Sequence, residues 1–95
     1  MVKIEKNAQA GTLESSDIMI TIAPGMSGME IELESIVLAQ YGDAIRLVIV
    51  QTLQEQGIND IRVRAVDKGA LDCTIRARIL TALGRAGVEL KEAAV

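Results

Sequence analysis

The residues best suited to chemistry in this sequence are two adjacent serines, Ser15 and Ser16, which stand between Glu14 and Asp17. Ser and Asp favour turns, and two short segments, 8–13 and 17–23, flank the tetrad 14–17. The pattern predicts a β-hairpin with both serines near its tip. An exposed hydroxyl there could be modified by an enzyme that brings its own base, although a serine in a turn needs no function.

The rest of the sequence offers little for catalysis or metal binding. It contains no His and a single Cys, Cys73, so a His-assisted nucleophile and a Cys/His zinc site are both excluded. Asp67, Lys68 and Asp72 lie close together, but a capped turn accounts for Asp67 and a solvated helix face accounts for Asp72. We therefore predict no catalytic residues and no metal ligands, and we expect Cys73 to be a small core residue.

Three glutamates at alternate positions, Glu30, Glu32 and Glu34, could be considered for a divalent cation. Side chains two residues apart on a strand diverge from a single ion. Arg62 and Arg64 on a neighbouring strand would instead form cross-strand ion pairs with them.

The hydrophobic pattern predicts the elements that must position these residues. Apolar residues alternate in 17–23, 29–35 and 61–65, which is typical of strands with one buried face. Apolar spacing of three or four residues predicts a helix from Ser35, a plausible N-cap, to Gln56, and Gly57 supplies a stop. The positions that set this spacing, and that form its expected buried stripe, are Leu38, Tyr41, Ile45, Val48, Ile49, Thr52 and Leu53. Gly42 weakens the continuity of this helix, and Asp43 could cap a second segment.

A second helix is predicted over 70–86. Its expected buried stripe is Leu71, Ile75, Ile79 and Leu83. The methionines Met19, Met26 and Met29 are expected to fill gaps in the core.

The order of elements, βββαβα, predicts an α+β fold in which a four-stranded sheet carries two helices on one face. If strands three and four are parallel, the crossover between them should be right-handed. We expect one domain over residues 1–95, with 88–95 as a flexible tail.

Composition limits the classes of function. The 95 residues carry a net charge of −3, and Tyr41 is the only aromatic residue, which argues against nucleic-acid binding. No apolar run approaches 18 residues and the N-terminus does not resemble a signal peptide, so we expect a cytoplasmic protein without a membrane partner.

Three separated stretches, in this order, resemble signatures of the citrate lyase acyl carrier protein (gamma subunit) family. They are Ala10-Gly11-Thr12-Leu13-Glu14-Ser15-Ser16-Asp17, Tyr41-Gly42-Asp43-Ala44-Ile45-Arg46, and Asp67-Lys68-Gly69-Ala70-Leu71-Asp72-Cys73 followed by Arg76-Ala77-Arg78. The resemblance covers residues 2–87, and the tail after Gly87 departs from the family pattern.

The resemblance implies a carrier that has no catalytic side chains of its own. Its prosthetic group would be 2'-(5''-phosphoribosyl)-3'-dephospho-coenzyme A, joined to Ser15 through a phosphodiester, with Ser16 the less favoured neighbour. The group's thiol would hold acetyl, which the alpha subunit (acyl transferase) exchanges for citryl, and the beta subunit (citryl lyase) would release oxaloacetate. A prosthetic-group transferase would install the arm.

Two alternatives stay open at this point. One is the carrier subunit of a related complex of the malonate decarboxylase type. The other is an unmodified interaction module that binds a partner through the sheet edge or the Met-containing face.

Overall fold

Within residues 3–91, the part of the chain that the structure describes, there are four strands and two helices. The structure is a computed structural model. The elements are β1 (Ala8–Ala10), β2 (Ile18–Pro24), β3 (Met29–Ser35), α1 (Leu38–Glu55), β4 (Ile61–Asp67) and α2 (Asp72–Arg85). The predicted order βββαβα is confirmed.

The strands form one mixed sheet in the order β1-β2-β4-β3. β2 is antiparallel to both of its neighbours, β1 and β4, whereas β3 and β4 are parallel and are joined by the crossover through α1. The register places Ile20 opposite Ala65, and Ile22 and Ile31 on either side of Val63. Because side chains alternate along each strand, these residues share the face that meets the helices.

The core between the sheet and the helices is aliphatic, as the composition predicts. Its sheet side is made by alternate residues of β2 and β4, and its helix side by three residues from each helix: Ile45, Ile49 and Leu53 from α1, and Ile75, Ile79 and Leu83 from α2. The helices contact each other, α1 also contacts β3, and α2 contacts β1 and β2. Full burial of one such side chain contributes roughly 1.5–3 kcal/mol.

The start of α1 differs from the prediction. Ser35 ends β3 instead of capping the helix, and a two-residue turn separates it from Leu38. Its hydroxyl accepts a hydrogen bond from the Val37 N–H at 3.1 Å and donates one to Asp67 Oδ2 at 2.8 Å. The parallel pairing of β3 with β4 brings Ser35 opposite Asp67, a long-range contact that the local pattern could not reveal.

Helix α1 runs without interruption through Gly42 and Asp43, so Asp43 does not cap a second segment. Gly42 is buried, and a Cβ at this position would lie 3.0 Å from Leu38 Cδ1. Tyr41, which was expected on the buried stripe, is 56% exposed. The buried face of the helix begins with Gly42 instead.

The start of α2 corrects two further expectations. Leu71 is 69% exposed because it precedes the first helical residue and has an extended backbone, with φ −73° and ψ 158°. Cys73 is exposed, so its placement in the core was wrong. It lies two residues from the buried Ile75, and residues two apart on a helix do not share a face.

The methionines also depart from the core-filling prediction. Met29 packs against the core, but Met26 is exposed in the loop between β2 and β3.

The chain after α2 partly packs onto the domain. Val88 is buried, and its N–H donates to the Leu83 carbonyl at 3.0 Å. The Gln56 side-chain amide donates a hydrogen bond to the Lys91 carbonyl and accepts one from the Lys91 N–H. The remainder of the predicted tail, 92–95, lies outside the described residues.

On each edge strand, one backbone carbonyl accepts a hydrogen bond from an arginine of a helix. Arg46 of α1 donates to the Ile31 carbonyl of β3 at 2.9 Å, and Arg85 of α2 donates to the Gln9 carbonyl of β1 at 2.8 Å. Each helix is thereby tied to the edge strand that it covers. Neither helix within 3–91 is long and apolar enough to cross a membrane.

Candidate functional site: the serine turn and its supports

Ser15 and Ser16 lie in the connection between β1 and β2, as the hairpin prediction requires. The connection spans residues 11–17, and four consecutive residues, Leu13, Glu14, Ser15 and Ser16, are exposed. Ser16 has a left-handed backbone with φ 66°, which is uncommon for a residue other than glycine. Ser15 takes no part in the hydrogen bonds that fix the connection within residues 3–91.

Gly11 allows the chain to leave β1 and enter this turn. Its φ is 101°, and a Cβ at this position would lie 1.8 Å from the carbonyl oxygen of Ile18. No side chain can occupy that position without moving the backbone. The close approach of the two ends of the connection therefore requires glycine.

The turn is anchored by backbone hydrogen bonds to the loop between β4 and α2. The Ser16 N–H donates to the Lys68 carbonyl at 2.8 Å, and the Lys68 N–H donates to the Asp17 carbonyl at 2.9 Å. This pair of bonds extends the antiparallel pairing of β2 and β4, which ends at Ile18 and Asp67. The serines thus project from a base that belongs to the sheet.

Asp17 supports the turn through hydrogen bonds to its side chain. Its carboxylate accepts hydrogen bonds from the Thr12 hydroxyl at 2.7 Å and from the Ile18 N–H at 2.7 Å. Arg78 of α2 completes the cluster as a two-pronged donor, with Nε 3.0 Å from Oδ1 and Nη2 2.8 Å from Oδ2. Such paired bonds to a carboxylate fix direction as well as distance.

These contacts determine the charge state of the cluster. The Arg78 hydrogen bonds, followed by the Thr12 hydroxyl, hold the pKa of Asp17 well below its usual range, and the same pair raises the pKa of Arg78. An ionised carboxylate whose oxygens are already engaged is a poor general base. Asp17 is therefore a structural support for the turn.

The cluster of Asp67, Lys68 and Asp72 has the structural explanation that the sequence predicts. The buried Asp67 carboxylate accepts from the Ala70 N–H at 2.9 Å and from the Ser35 hydroxyl, so it caps the turn into α2 and links it to the end of β3. Asp72 is exposed on the first turn of α2.

The glutamates of β3 lie on the outer face of the sheet. Glu30 is opposite Arg62 and Glu32 is opposite Arg64, and a 3.4 Å ion pair joins Glu30 to Arg62. The predicted cross-strand pairing is confirmed at this position. Among residues 3–91 no group of three acidic or Cys side chains is arranged to hold a metal ion.

An apolar groove of about 450 Å³ lies beside the serine turn. Tyr41, Ala44 and Ile45 of α1 form one side, and Gly69, Ala70 and Leu71 form the other; Val37, Asp67 and Asp72 complete the lining. Lys68, whose backbone bonds the serine turn, stands between two of these lining residues. Of the three stretches that carry the family resemblance, the second and third line the groove, and the first bonds the third through Lys68.

The fold and site define a small scaffold that presents a serine hydroxyl on a braced turn, where the Asp17 carboxylate is engaged by Thr12 and Arg78. The class that matches this description is the carrier proteins, in which chemistry is done by other subunits.

Comparison with known proteins supports that class. The family described as malonate decarboxylase delta subunit (MdcD) matches residues 5–86. The citrate lyase acyl carrier protein of Lactiplantibacillus plantarum is 54% identical over 85 residues, covering 90% of this chain and 88% of the relative. The citrate lyase acyl carrier protein of Streptococcus uberis is 57% identical over 83 residues, covering 87% of this chain and 82% of the relative.

A solved structure shows the same fold. It is titled as a Pseudomonas malonate decarboxylase hetero-tetramer in complex with malonate, and one chain matches with a TM-score of 0.78 at 19% identity, covering 90% of this chain and 88% of that one. The chain belongs to the citrate lyase acyl carrier protein family. The resemblance noted in the sequence is confirmed, and so is the expectation of a carrier instead of an enzyme.

Two features of the site could not be found by sequence reasoning. The contact between Asp17 and Arg78 joins residues 61 positions apart, and no local pattern marks them as partners. The bonds that join Lys68 to Ser16 and to Asp17 use backbone atoms only, so residue types carry no signal for them.

Proposed function

We propose that this chain is the acyl carrier subunit of citrate lyase, with phosphoribosyl-dephospho-coenzyme A attached to Ser15 through a phosphodiester. The observation that carries the proposal is the serine turn itself, in which Ser15 is exposed and free of the bonds that fix its neighbours. The names of relatives at 54% and 57% identity support the citrate lyase assignment.

The residues around Ser15 fit such a group. A phosphodiester adds negative charge, and the nearest partly buried carboxylate, that of Asp17, is already neutralised by Arg78. The left-handed backbone and the bond to Lys68 fix the backbone of Ser16, so Ser15 has the less constrained backbone of the two. When attached, the group supplies a thiol that carries acetyl or citryl as a thioester.

The chain's own residues present the attachment point and hold it in place. The turn keeps the attachment point at the end of the sheet, and tethering keeps the cargo at high effective concentration for the alpha and beta subunits in the cytoplasm. A prosthetic-group transferase must recognise the exposed turn. The base that activates the serine for attachment has to come from the transferase, because this chain contains no His and Asp17 is held ionised by Arg78.

A carrier for a malonate decarboxylase type of complex is the second candidate. It is favoured by the fold match to a chain of that hetero-tetramer and by the matching family description. The two candidates share a serine-linked arm, so they are separated by which subunits the carrier binds.

Intact-mass spectrometry tests the proposal on protein purified from its own host during growth on citrate. We expect a mass excess equal to phosphoribosyl-dephospho-coenzyme A in the wild type and in Ser16→Ala, and none in Ser15→Ala. Ser27→Ala, an exposed serine in another loop, is the matched control and should keep the excess.

An excess that disappears only in Ser16→Ala would move the attachment to the neighbouring serine. An unmodified wild-type chain from cells that cleave citrate would refute the covalent carrier role and favour an interaction module. Co-purification with decarboxylase subunits instead of lyase subunits would select the second candidate.

A further inference from the structure

We infer that the groove between α1 and the loop from β4 to α2 holds the uncharged pantetheine segment of the chain's own prosthetic arm between visits to partner subunits. The inference rests on the proposed function, since it requires the arm on Ser15. It adds a second role for the scaffold, which would shield the thiol end of the arm as well as present it.

Position is the first argument. Ser16 is bonded to the Lys68 carbonyl at 2.8 Å, and the groove is lined by Asp67 and Gly69, the two chain neighbours of Lys68. The attachment turn and the groove therefore both adjoin the loop between β4 and α2. The pantetheine segment is the distal end of the arm, so the nucleotide portion next to Ser15 would remain outside and fold back past this loop for the pantetheine to enter the groove.

Chemistry is the second argument. The lining is mostly aliphatic with one aromatic ring, Tyr41, and the volume of about 450 Å³ falls within the range of small-ligand sites. The methyl groups and the thioester end of a pantetheine chain suit such a surface, and its amides can bond to exposed backbone at the rim.

Charge is the third argument, because it selects which part of the arm enters. Two carboxylates lie at the groove, the buried Asp67 and the exposed Asp72. They would repel the phosphates of the nucleotide portion. The pantetheine segment carries no charge, so it is the part of the arm that the groove accepts.

Exposed apolar side chains at the groove are the fourth argument. Tyr41 and Leu71 are 56% and 69% exposed although a helical pattern predicts their burial. An arm lying across the groove would cover apolar surface on both, which contributes roughly 25 cal/mol for each Å² removed from water.

Thiol reactivity provides the test. Holo protein is prepared in a Cys73→Ser background, because Cys73 is an exposed thiol that would react with the same reagent. Loading is verified by intact mass, and the rate of arm alkylation by iodoacetamide is compared with that of free coenzyme A. We expect the arm thiol to react about threefold to tenfold more slowly than free coenzyme A.

A matched pair of variants identifies the surface responsible. Tyr41→Ser should raise the alkylation rate at least twofold, whereas Leu47→Ser should leave it unchanged. Both residues are on α1 with nearly equal exposure, 56% and 55%, but only Tyr41 lines the groove. Amide NMR shifts between apo and holo protein should appear at Ala44, Gly69 and Ala70 as well as in the turn.

The outcomes separate this inference from the proposed function. A chain without an arm refutes both. A loaded chain whose thiol reacts as fast as free coenzyme A, with shifts confined to residues 12–17, refutes the inference alone. Shifts at the groove that appear only after a lyase subunit is added would assign the groove to that partner and also overturn it.

Discussion

Gly11→Ala should destabilise the domain and disturb the serine turn together. Two costs are expected. An L-residue at φ 101° is strained by roughly 1–2 kcal/mol, and the added Cβ would lie 1.8 Å from the Ile18 carbonyl oxygen. Since that distance is impossible, the ends of the connection must separate, and the first hydrogen bonds between β1 and β2 are lost at about 1 kcal/mol each. We therefore expect a total loss of about 3–4 kcal/mol.

Gly28→Ala is the control that isolates the steric term. Gly28 also has a positive φ, 84°, but a Cβ there meets no atom within 4 Å. It should lose only the roughly 1–2 kcal/mol of backbone strain. A domain of 95 residues is stable by about 5–14 kcal/mol, so both variants should still fold.

Urea denaturation followed by circular dichroism measures both losses, and thermal melts should show Gly11→Ala about 8–16 °C below Gly28→Ala at roughly 4–8 °C per kcal/mol. Loading of Ser15 should fall in Gly11→Ala only. Equal stability of the two variants would show that the close approach of Gly11 to Ile18 does not constrain the turn, and the account of its rigidity would then be wrong.

Two further predictions concern the support of the turn and the core. The pKa of Asp17 is lowered in the folded state, so its contribution to stability is present above the unfolded value near 4 and is lost as the pH falls. Between about pH 5 and about pH 2, the free energy of unfolding should therefore decrease more steeply for wild type than for Asp17→Asn. Parallel pH profiles in urea titrations would contradict the Arg78 pairing. Ile79→Ala should cost about 2–5 kcal/mol because Ile79 is fully buried, whereas the exposed Leu71→Ala should stay within about 0.5 kcal/mol. Similar denaturation midpoints for these two would contradict the observed start of α2.

The strands were the most predictable part of the fold. Ile18, Ile20 and Ile22 alternate with less buried residues, and the glutamates of β3 alternate with apolar residues, so the period of two specifies both strand and buried face. The pairing of Glu30 with Arg62 followed from the same alternation.

Helix boundaries were less predictable because distant contacts decide them. Ser35 has the composition of a cap, yet its hydroxyl is engaged by Asp67 on a strand 32 positions away. Leu71 has the spacing of a core residue, but the helix starts one position after it. Local patterns show which residues suit a helix and leave open where the first turn closes.

The candidate site divides in the same way. The exposed serines followed from turn-forming residues, whereas the bonds from Arg78 to Asp17 and from the Ser16 N–H to the Lys68 carbonyl depend on how α2 and β4 are placed. A sequence can indicate which hydroxyl is exposed, but the contacts that hold the turn rigid form only when the sheet is assembled.

The arginines on the two edge strands affect how this domain can meet other molecules. A strand added to either side of the sheet would need free backbone carbonyls, and those of Ile31 and Gln9 are already occupied by Arg46 and Arg85. A copy that pairs along the full length of an edge strand would have to displace the arginine there before it could bond that carbonyl. Contacts through the loops at the serine end leave both arginines in place and carry no such cost.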